Sequence, residues 1–578
     1  MTKNEKKLDE IRHSLAHLLA AAVLKKYPDT KLGIGPIIEN GFYYDFLFKK
    51  PLSDNELKDL EKDMKKMASS NLPFKGKKVT PTEAKKLFKG QKFKLDLIRE
   101  FSKDKKPLTV YKTGDVFIDL CRGGHVKNTK EIDPKAFKLS HLAGAYWRGS
   151  EKNPMLTRIY GLAFNTEKEL KDYQAMMEEA KKRDHRVLGE KLGIYMFSDL
   201  VGPGFPLWLP NGAFIKHRLE EYMRNIEEKH GYKYVSTPVL TQGSLYARSG
   251  HKQYFSDDMY KFTDPEGVEM FVKPMNCPHH HMIFERMVQS YRDLPLRMAE
   301  PGTVYRFERS GTLTGLIRVR GPITQNDSHI YCSPEQFADE FKRVLDLFAE
   351  VYKDLGIKDY WFQLSLPDFK NKKNKFGGET KKWKWASDEI RKVLKKSKVK
   401  FIEVAGEAAF YGPKVDLQAK NVLGKEDTIA TAQVDILVPK RMGLAYVNAN
   451  GKEETPIVIH RAVLGSYERF IAFLLEQTAG KLPLWLSPTQ VSVLPISEQQ
   501  NKYAEKIKKE LEESGYRVTL NSENLTIGKK IREAEIAKTP FVLIVGKEES
   551  KNKTVNVRQR DKGNIGEMEL DNFLKMLK

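Results

Sequence analysis

The feature of this chain that most limits its fold is its apolar pattern, which changes twice along 578 residues. Residues 1–180 mix amphipathic helices with short strands. Residues 184–480 begin near the Gly/Pro cluster "GPGFPLWLPNG" and contain strand-like runs joined locally, which favours an antiparallel sheet with helices. Residues 485–578 alternate strand and helix, the pattern of a small α/β domain. The sequence therefore predicts a multidomain α+β protein with three domains.

The charge and the cysteine content limit the partners and the compartment. Lys and Arg number 100 against 77 Asp and Glu, a net charge of +23 that is spread along the chain. Such an excess favours a polyanionic partner, most simply nucleic acid; the alternative is a protein that is merely rich in lysine. Three cysteines do not make a disulfide framework, and the N-terminus has no apolar core of the signal-peptide type. The longest apolar runs are far shorter than a membrane span, so we predict a cytoplasmic protein with no membrane segment.

One cysteine stands two residues ahead of three histidines in "KPMNCPHHHMIF", residues 273–284. His279, His280 and His281 cannot all join Cys277 on one metal ion, because adjacent side chains point apart. A four-coordinate zinc needs ligands that converge from different directions. The remaining ligands must therefore come from elsewhere in the chain.

Two other histidines end strand-like runs, His329 in "QNDSHIYC" and His460 in "PIVIHRAVLGSYERF". With Cys277 they would give zinc three ligands and leave a fourth position open, as in catalytic or substrate-binding sites. One alternative is a buried thiol near histidines that are only hydrogen-bonded. The other is that Cys332, three residues after His329, serves as a ligand.

The chain has neither a Walker-type phosphate loop nor a GxGxxG motif, so arginines would have to hold any ATP phosphates. "VYRFERSG" places Arg306 and Glu308 two residues apart, on one face of a strand. "GSYERF" places Arg469 in a helix-like segment after a glycine. The alternative for each arginine is a surface ion pair.

Two pairs of metal-ligand residue types lie in the first 180 residues. "HSLAH" puts His13 and His17 four apart on one helix face, and "DLCRGGH" supplies Cys121 and His125. If the two pairs face each other, they form the donor set of a zinc site. The alternative is a helix with two ordinary histidines.

Several of these segments together resemble a known family. "YKYVSTPVL", "RMAEPGTVYRFERSG" and "VIHRAVLGSYERF" resemble, in order, the three motifs of class II aminoacyl-tRNA synthetases. "KPMNCP", "SYRDLPLRMAE", "LIRVRG" and "AFYGPK" resemble the threonyl-tRNA synthetases more narrowly. The resemblance covers the chain from about residue 10 to its end.

The resemblance implies an ATP-dependent ligase that joins threonine to tRNA(Thr) through a threonyl-adenylate. It implies Mg²⁺ with the ATP, a homodimer formed across the first motif, and one zinc ion per subunit held by Cys277, His329 and His460. This zinc selects the substrate rather than activating water, since threonine has an amino group and a hydroxyl to offer and valine has no hydroxyl. Serine also has both groups, so a second domain that hydrolyses seryl-tRNA(Thr) is implied at residues 1–180.

The resemblance also implies roles for individual residues. Arg306 bridges the threonine carboxylate and the α-phosphate, Arg469 holds the γ-phosphate, and Glu308 and Arg318 contact adenine and phosphate. His251 assists transfer to the tRNA. The other implied residues of the synthetic site are Met275, Gln325, Asp327, Tyr411 and Gln433 around threonine, with Lys414 in a matching pocket segment.

For the editing site the resemblance implies a metal-free arrangement of His13, His17, Lys94, Asp119, Cys121 and His125. The related alanyl editing domain binds zinc with the same pairs, so a metal remains the alternative. In the anticodon-binding domain, 485–578, the implied base-reading residues are Glu549, Arg558 and Arg560, and the implied phosphate contacts are Lys529, Lys530 and Arg532. The alternative there is a solvated basic face.

The sequence departs from the family pattern at several places. The usual Cys-Pro-Gly-His has His279 in place of Gly, and Pro322 and Ile323 replace the Phe that stacks on adenine. Gly124 replaces the Pro of Cys-Arg-Gly-Pro-His, and the chain begins at the editing helix without a ubiquitin-like domain. Two other functions stay open: a non-catalytic RNA-binding paralogue, and a synthetase for serine, proline or alanine.

Overall fold

In the computed structural model, which describes residues 2–370, 376 and 379–577, the chain forms two compact units. These are Met1–Glu178 and Glu179–Lys578. The two largest sheets of the second unit have eight and five strands, and one apolar cluster of this unit takes all its buried residues from the range 491–577. The predicted division of this region into 184–480 and 485–578 stays a prediction.

The first helix shows how the N-terminal unit is built. It starts with a capping box, in which the Thr2 hydroxyl accepts from the Glu5 N–H and the Glu5 carboxylate accepts from the Thr2 N–H. Its apolar face, which includes Leu15 and Leu19, is fully buried in the main cluster of the unit. The elements are α1 Lys3–Lys26, β1 Lys31–Leu32, β2 Ile37–Ile38, β3 Gly41–Leu47, α2 Asp54–Ala68, β4 Phe74–Lys78, α3 Pro81–Leu87, α4 Lys92–Lys103, β5 Thr109–Thr113, β6 Phe117–Leu120, β7 Phe137–Tyr146, β8 Met155–Ala163 and α5 Glu167–Arg183.

Two sheets lie in this unit. One has the order β1-β3-β8-β7 with β2 paired to β3, and the other has the order β4-β5-β6. All pairs in both sheets are antiparallel. Helix α1 lies against β3 and β6, so its histidines come close to the end of β6.

The large sheet of the second unit has eight strands in the order β11-β15-β16-β23-β20-β19-β17-β18. The central pairs are antiparallel as predicted, and only the edge pairs β11–β15 and β17–β18 are parallel. The elements up to the last helix of this region are α6 His185–Lys191, β9 Tyr195–Met196, β10 Leu207–Trp208, α7 Pro210–Lys229, β11 Lys233–Tyr234, β12 Leu240–Gln242, α8 Gly243–Ser249, α9 His251–Phe255, β13 Lys261–Thr263, β14 Glu269–Val272, α10 Cys277–Met287, β15 Leu296–Val304, β16 Ile323–Cys332, α11 Phe337–Asp354, β17 Tyr360–Leu366, α12 Thr380–Lys396, β18 Phe401–Ala405, β19 Lys414–Lys420, β20 Glu426–Asp435, α13 Val438–Arg441, β21 Tyr446–Val447, β22 Glu453–Glu454, β23 Ile457–Ser466 and α14 Tyr467–Thr478.

The C-terminal sheet has the order β25-β24-β26-β27-β28. Its first three strands are parallel and the last two are added antiparallel, which confirms a partly parallel α/β pattern. The elements are β24 Val491–Pro495, α15 Asn501–Glu513, β25 Val518–Leu520, α16 Ile527–Ile536, β26 Phe541–Val545, α17 Lys547–Asn552, β27 Thr554–Gln559, β28 Gly563–Glu569 and α18 Leu570–Leu577. Across the described residues, no helix combines the length and apolarity needed to cross a membrane.

Candidate active site

Three elements bring Cys277, His329 and His460 together. The two histidines lie opposite each other in the register of β16 and β23, and Cys277 begins helix α10. One ligand atom from each residue lies within 4.8 Å of the other two. One thiol and two imidazoles that converge from a helix end and two strands match the donor set of a zinc site with an open fourth position.

The neighbouring histidines have other contacts. His280 places Nδ1 2.8 Å from His329 Nδ1 and Nε2 3.1 Å from Glu300 Oε2. His281 Nδ1 lies 2.8 Å from the Tyr331 hydroxyl. The ring nitrogens of His279 have no hydrogen-bond partner among the described residues, and burial lowers its pKa to about 4. Of the three adjacent histidines, His280 is therefore the one that orients a predicted ligand.

His460 is oriented in the same way, because its Nε2 lies 3.2 Å from Asp435 Oδ2. Cys332 lies in the apolar core with its sulfur 3.8 Å from the Ile457 carbonyl oxygen, and it does not belong to the trio. The carboxylates of Asp435 and Glu300 are outer partners that the sequence analysis missed. No local pattern indicated them, since each is far from its histidine in the chain.

A cavity of about 400 Å³ lies over the large sheet beside the trio. Gln433, which lines it, hydrogen-bonds to the Tyr411 hydroxyl, and the Tyr411 ring stacks on His460 at 5.1 Å between centroids. The sequence-predicted residues that line the cavity are Arg306, Glu308, Arg318, Gln325, Gln433 and Arg469. Three guanidinium groups around one cavity give it the donors that bind phosphate oxygens.

The arginines come from two elements. Arg306 and Arg318 lie in the loop between β15 and β16, where Arg306 Nε donates to the Pro274 carbonyl at 3.2 Å and Arg318 Nε lies 3.8 Å from Glu308. Arg469 lies in the first turn of α14, whose N-cap is Ser466. At the position of the missing aromatic, Ile323 begins β16 and lines the cavity.

The other predicted residues lie around the trio. Asp327 Oδ2 accepts from Asn276 Nδ2 at 2.9 Å, and Lys414 pairs with Asp416 at 2.5 Å. His251 Nε2 lies 3.5 Å from Cys277 Sγ, and burial lowers the His251 pKa to about 4. Met275 lies partly buried between β14 and α10. Asn276 was not predicted from the sequence, although it lies inside the quoted "KPMNCP".

A second cluster lies in the N-terminal unit. Cys121 Sγ lies 3.4 Å from His13 Nε2 and 3.2 Å from His125 Nε2. Together with His17 these residues have ligand atoms within 4.8 Å of one another. Burial raises the pKa of the Cys121 thiol to about 11 and lowers that of His125 to about 2, so both are uncharged near neutral pH in the absence of a metal.

A buried ion pair borders this cluster. Lys94 Nζ lies 2.6 Å from Asp119 Oδ1, and the Tyr44 hydroxyl donates to Asp119 Oδ2 at 2.6 Å. Lys94 and Asp119 line a cavity of about 500 Å³ together with His13, His17 and Cys121. The structure thus brings all six residues predicted for this site together. Tyr44 and Ser14 were not predicted from the sequence. Ser14 lies within "HSLAH", and its hydroxyl is 3.3 Å from His125 Nδ1.

The residues predicted to read the anticodon have partners within the protein. Arg560 donates to the carbonyl oxygens of Lys538 and Leu482 at 2.7 and 2.8 Å. Arg558 lies 3.7 Å from Glu535, and Glu549 accepts from the Gly546 N–H at 2.9 Å. Of the residues predicted to contact phosphate, Lys530 is buried against the Pro495 carbonyl, whereas Lys529 and Arg532 are exposed. The base-reading assignments stay predictions.

Comparisons with known proteins bear on the whole chain. The family described as "tRNA synthetase class II core domain (G, H, P, S and T)" matches residues 260–478, and "Anticodon binding domain" matches residues 490–578. "Threonyl and Alanyl tRNA synthetase second additional domain" matches residues 108–160. A curated threonine–tRNA ligase of a Geobacillus species is 44% identical over 574 residues, which are 99% of this chain and 88% of that protein. This chain belongs to the threonine–tRNA ligase family.

Other relatives agree with this membership. A threonine–tRNA ligase of Staphylococcus aureus is 45% identical over 573 residues, 99% of this chain and 88% of that protein. The solved "RNA binding domain of Threonyl-tRNA synthetase" from Cryptosporidium parvum is 37% identical with a TM-score of 0.63, covering 68% of this chain and 97% of that chain. A prolyl-tRNA synthetase of the same organism shares the fold, with a TM-score of 0.54 at 17% identity. The match covers 68% of this chain and 73% of that chain.

Proposed function

We propose that the protein joins threonine to tRNA(Thr): it activates threonine with ATP to threonyl-adenylate and transfers the threonyl group to the tRNA. The observation that supports this most is the trio of Cys277, His329 and His460 beside a cavity that three arginines line. This arrangement puts a site for an amino acid next to a site for nucleotide phosphates. The family membership agrees with it.

We propose that the trio holds one zinc ion, since its donor set fits this metal. A zinc ion held by these three residues would supply a Lewis acid for the amino group and the hydroxyl of threonine. The chain positions its ligands through the Glu300–His280–His329 and Asp435–His460 contacts. Magnesium would accompany the ATP.

The arginines account for the binding of ATP and for the charge that develops on it. Arg306 lines the cavity, and its Nε donates to the carbonyl oxygen of Pro274, three residues before Cys277. From this position it would contact both the threonine carboxylate and the α-phosphate. Arg318 and Arg469 supply donors for the other phosphates. Fixed guanidinium groups stabilise the developing negative charge without reorganisation during the reaction. We further propose a cytoplasmic homodimer that pairs through the region of the first motif.

The test is ATP–pyrophosphate exchange with threonine, serine and valine. We expect exchange with threonine, weaker exchange with serine, and none with valine because it has no hydroxyl. Exchange with no amino acid from fully metallated protein would favour the paralogue, and exchange with alanine, proline or serine alone would favour a sister synthetase.

Substitution Arg306→Gln should lower kcat/KM for exchange about 100-fold, because a fixed charge on the transition state is lost. The measurement is exchange at saturating threonine and varied ATP. Arg343→Gln is the matched control, since Arg343 is exposed on α11 and pairs with Glu340. Equal activity of the two variants would contradict the role of Arg306.

We propose that the cluster in the N-terminal unit hydrolyses seryl-tRNA(Thr). The cavity beside Cys121 contains a buried cation, Lys94, that can bind the tRNA end. We propose that it acts without a metal, as the resemblance to the threonyl editing domain implies. The ligand atoms of His13, His17, Cys121 and His125 lie within 4.8 Å of one another, so a metal-bound cluster is the alternative. Metal analysis of the isolated protein tests this: we expect one zinc per chain, and two would indicate that the cluster is also metallated.

Substitution Lys94→Met should slow hydrolysis of seryl-tRNA(Thr) about 100-fold by removing the charge that positions the substrate. Threonine-dependent exchange should stay unchanged, because it occurs in the other unit. Lys92→Met is the matched control, an exposed lysine of the same helix α4. If both variants lose hydrolysis equally, the loss comes from disturbed folding of the N-terminal unit and not from the missing charge of Lys94.

A further inference from the structure

A second group of titratable side chains lies next to the nucleotide cavity. His185 begins helix α6, is 1% exposed, and places Nδ1 2.7 Å from Glu476 Oε1. Its Nε2 lies 3.2 Å from the backbone nitrogen of Leu316. The Leu316 N–H can only donate, so Nε2 accepts and Nδ1 carries the ring proton that is donated to Glu476.

This group forms a link between elements rather than a metal site. Asp184 is near enough to join His185 and Glu476 around an ion. However, the Asp184 carboxylate accepts from the Arg186 backbone N–H at 2.8 Å and from its guanidinium at 2.6 Å. Both nitrogens of His185 are also in use, so a metal would have to displace several hydrogen bonds.

The link joins the two elements that carry the phosphate-binding arginines. Helix α14 carries Arg469 in its first turn and Glu476 two turns later. The loop between β15 and β16 carries Arg318, and Leu316 is buried in its tight turn, which the Thr314–Arg318 bridge closes. Arg318, Leu316, Arg469 and Glu476 all line the cavity of about 400 Å³.

Gly315 makes the close approach to His185 possible. A Cβ at this position would lie 2.1 Å from His185 Nε2, and the residue has a φ of +48°. Both observations require glycine, since a side chain would push the turn away from the imidazole. The turn is therefore built around the histidine.

We propose that His185 is a positioning residue for threonine activation: it holds the 315–318 turn against α14, so that Arg318 and Arg469 face the same nucleotide phosphates. This inference rests on the proposed function. His185 does not line the cavity and acts through the Leu316 N–H. Its effect should therefore fall on ATP and leave threonine binding unchanged.

The test compares two substitutions that each keep one of the two hydrogen bonds. In His185→Asn the asparagine side chain reaches only to the position of Nδ1. It therefore keeps a donor to the Glu476 carboxylate and loses the acceptor for the Leu316 N–H. His185→Gln reaches as far as Nε2 and keeps that acceptor. In the exchange assay we expect His185→Asn to raise KM for ATP about tenfold, the effect of one lost buried hydrogen bond, with KM for threonine unchanged.

His185→Gln should restore KM for ATP to near the wild-type value. His141→Asn, at an exposed histidine of the N-terminal unit, is the matched control and should behave as wild type. If Gln and Asn variants are equally impaired, or if KM for ATP and KM for threonine rise together with a lower melting temperature, His185 has only a packing role and the proposal is wrong.

Failure of the proposed function can be told apart from failure of this inference. If the wild-type protein catalyses no exchange, the proposed function fails. Equilibrium dialysis with ATP and Mg²⁺ then still tests the role of His185, because the turn contributes to phosphate binding. We expect weaker ATP binding by His185→Asn and recovery by His185→Gln; equal binding by all variants would overturn the inference.

Discussion

Substitution Cys277→Ala is expected to remove zinc and threonine activation together. The zinc content should fall from one ion per chain to nearly none, because the trio then keeps two imidazoles and loses its thiolate. Threonine-dependent pyrophosphate exchange should fall at least about 1,000-fold, since the amino group of threonine and the hydroxyl that distinguishes it from valine both lose their partner. Metal analysis by mass spectrometry and the exchange assay measure the two effects separately.

Cys332→Ala is the matched control for this substitution. Cys332 is also a buried thiol, but it lies in the apolar core against the Ile457 carbonyl. The Cys332 variant should therefore keep its zinc and most of its activity. Loss of zinc from the Cys332 variant, with zinc retained in the Cys277 variant, would show that the metal ligands were wrongly assigned.

Substitution Arg461→Met should lower the free energy of unfolding of the Glu179–Lys578 unit by about 3–5 kcal/mol. Arg461 NH1 lies 2.5 Å from Glu227 Oε1, and both side chains are fully buried. Without the guanidinium, the carboxylate of Glu227 stays buried, and its remaining hydrogen-bond partners among the described residues, Asn326 and Tyr234, are neutral. Urea unfolding followed by circular dichroism measures the change.

The control is Arg224→Met. Arg224 lies on the same helix as Glu227 but is exposed, so this substitution should change the free energy of unfolding by less than about 1 kcal/mol. The double variant Arg461→Met/Glu227→Gln should recover part of the loss, because no uncompensated charge is left buried. If the single and double variants unfold at the same urea concentration, the ion pair is not the cause.

The sequence predicted those parts of the site that depend on local spacing. "HSLAH" placed His13 and His17 on one helix face, and α1 presents both to the same cluster. The alternation after residue 485 predicted the small α/β sheet. The motif order identified the family that the comparisons confirm. Convergence of distant ligands was predicted through the resemblance, since spacing alone left Cys332 open as a ligand.

Partners that lie far apart in the chain could not be predicted from spacing. From the sequence it was predicted only that His279, His280 and His281 cannot all join Cys277 on one metal ion. The contact of His280 with His329 depends on how α10 packs on β16. Lys530 was predicted as a phosphate contact, yet its ammonium group is buried against the Pro495 carbonyl. A helical pattern indicates which face is polar but not which polar atom the next strand covers.

The sequence by itself therefore determined the fold class, because helix and strand periods follow from local backbone geometry. It also predicted the residue types of both clusters and a division into three domains, which stays a prediction. Only the tertiary structure decided which atoms meet. His185 and Leu316 are 131 residues apart, and their hydrogen bond exists because α6, α14 and a tight turn pack together. The register that pairs His329 with His460 has the same origin. Such contacts depend on distances between segments, and no local pattern encodes those distances.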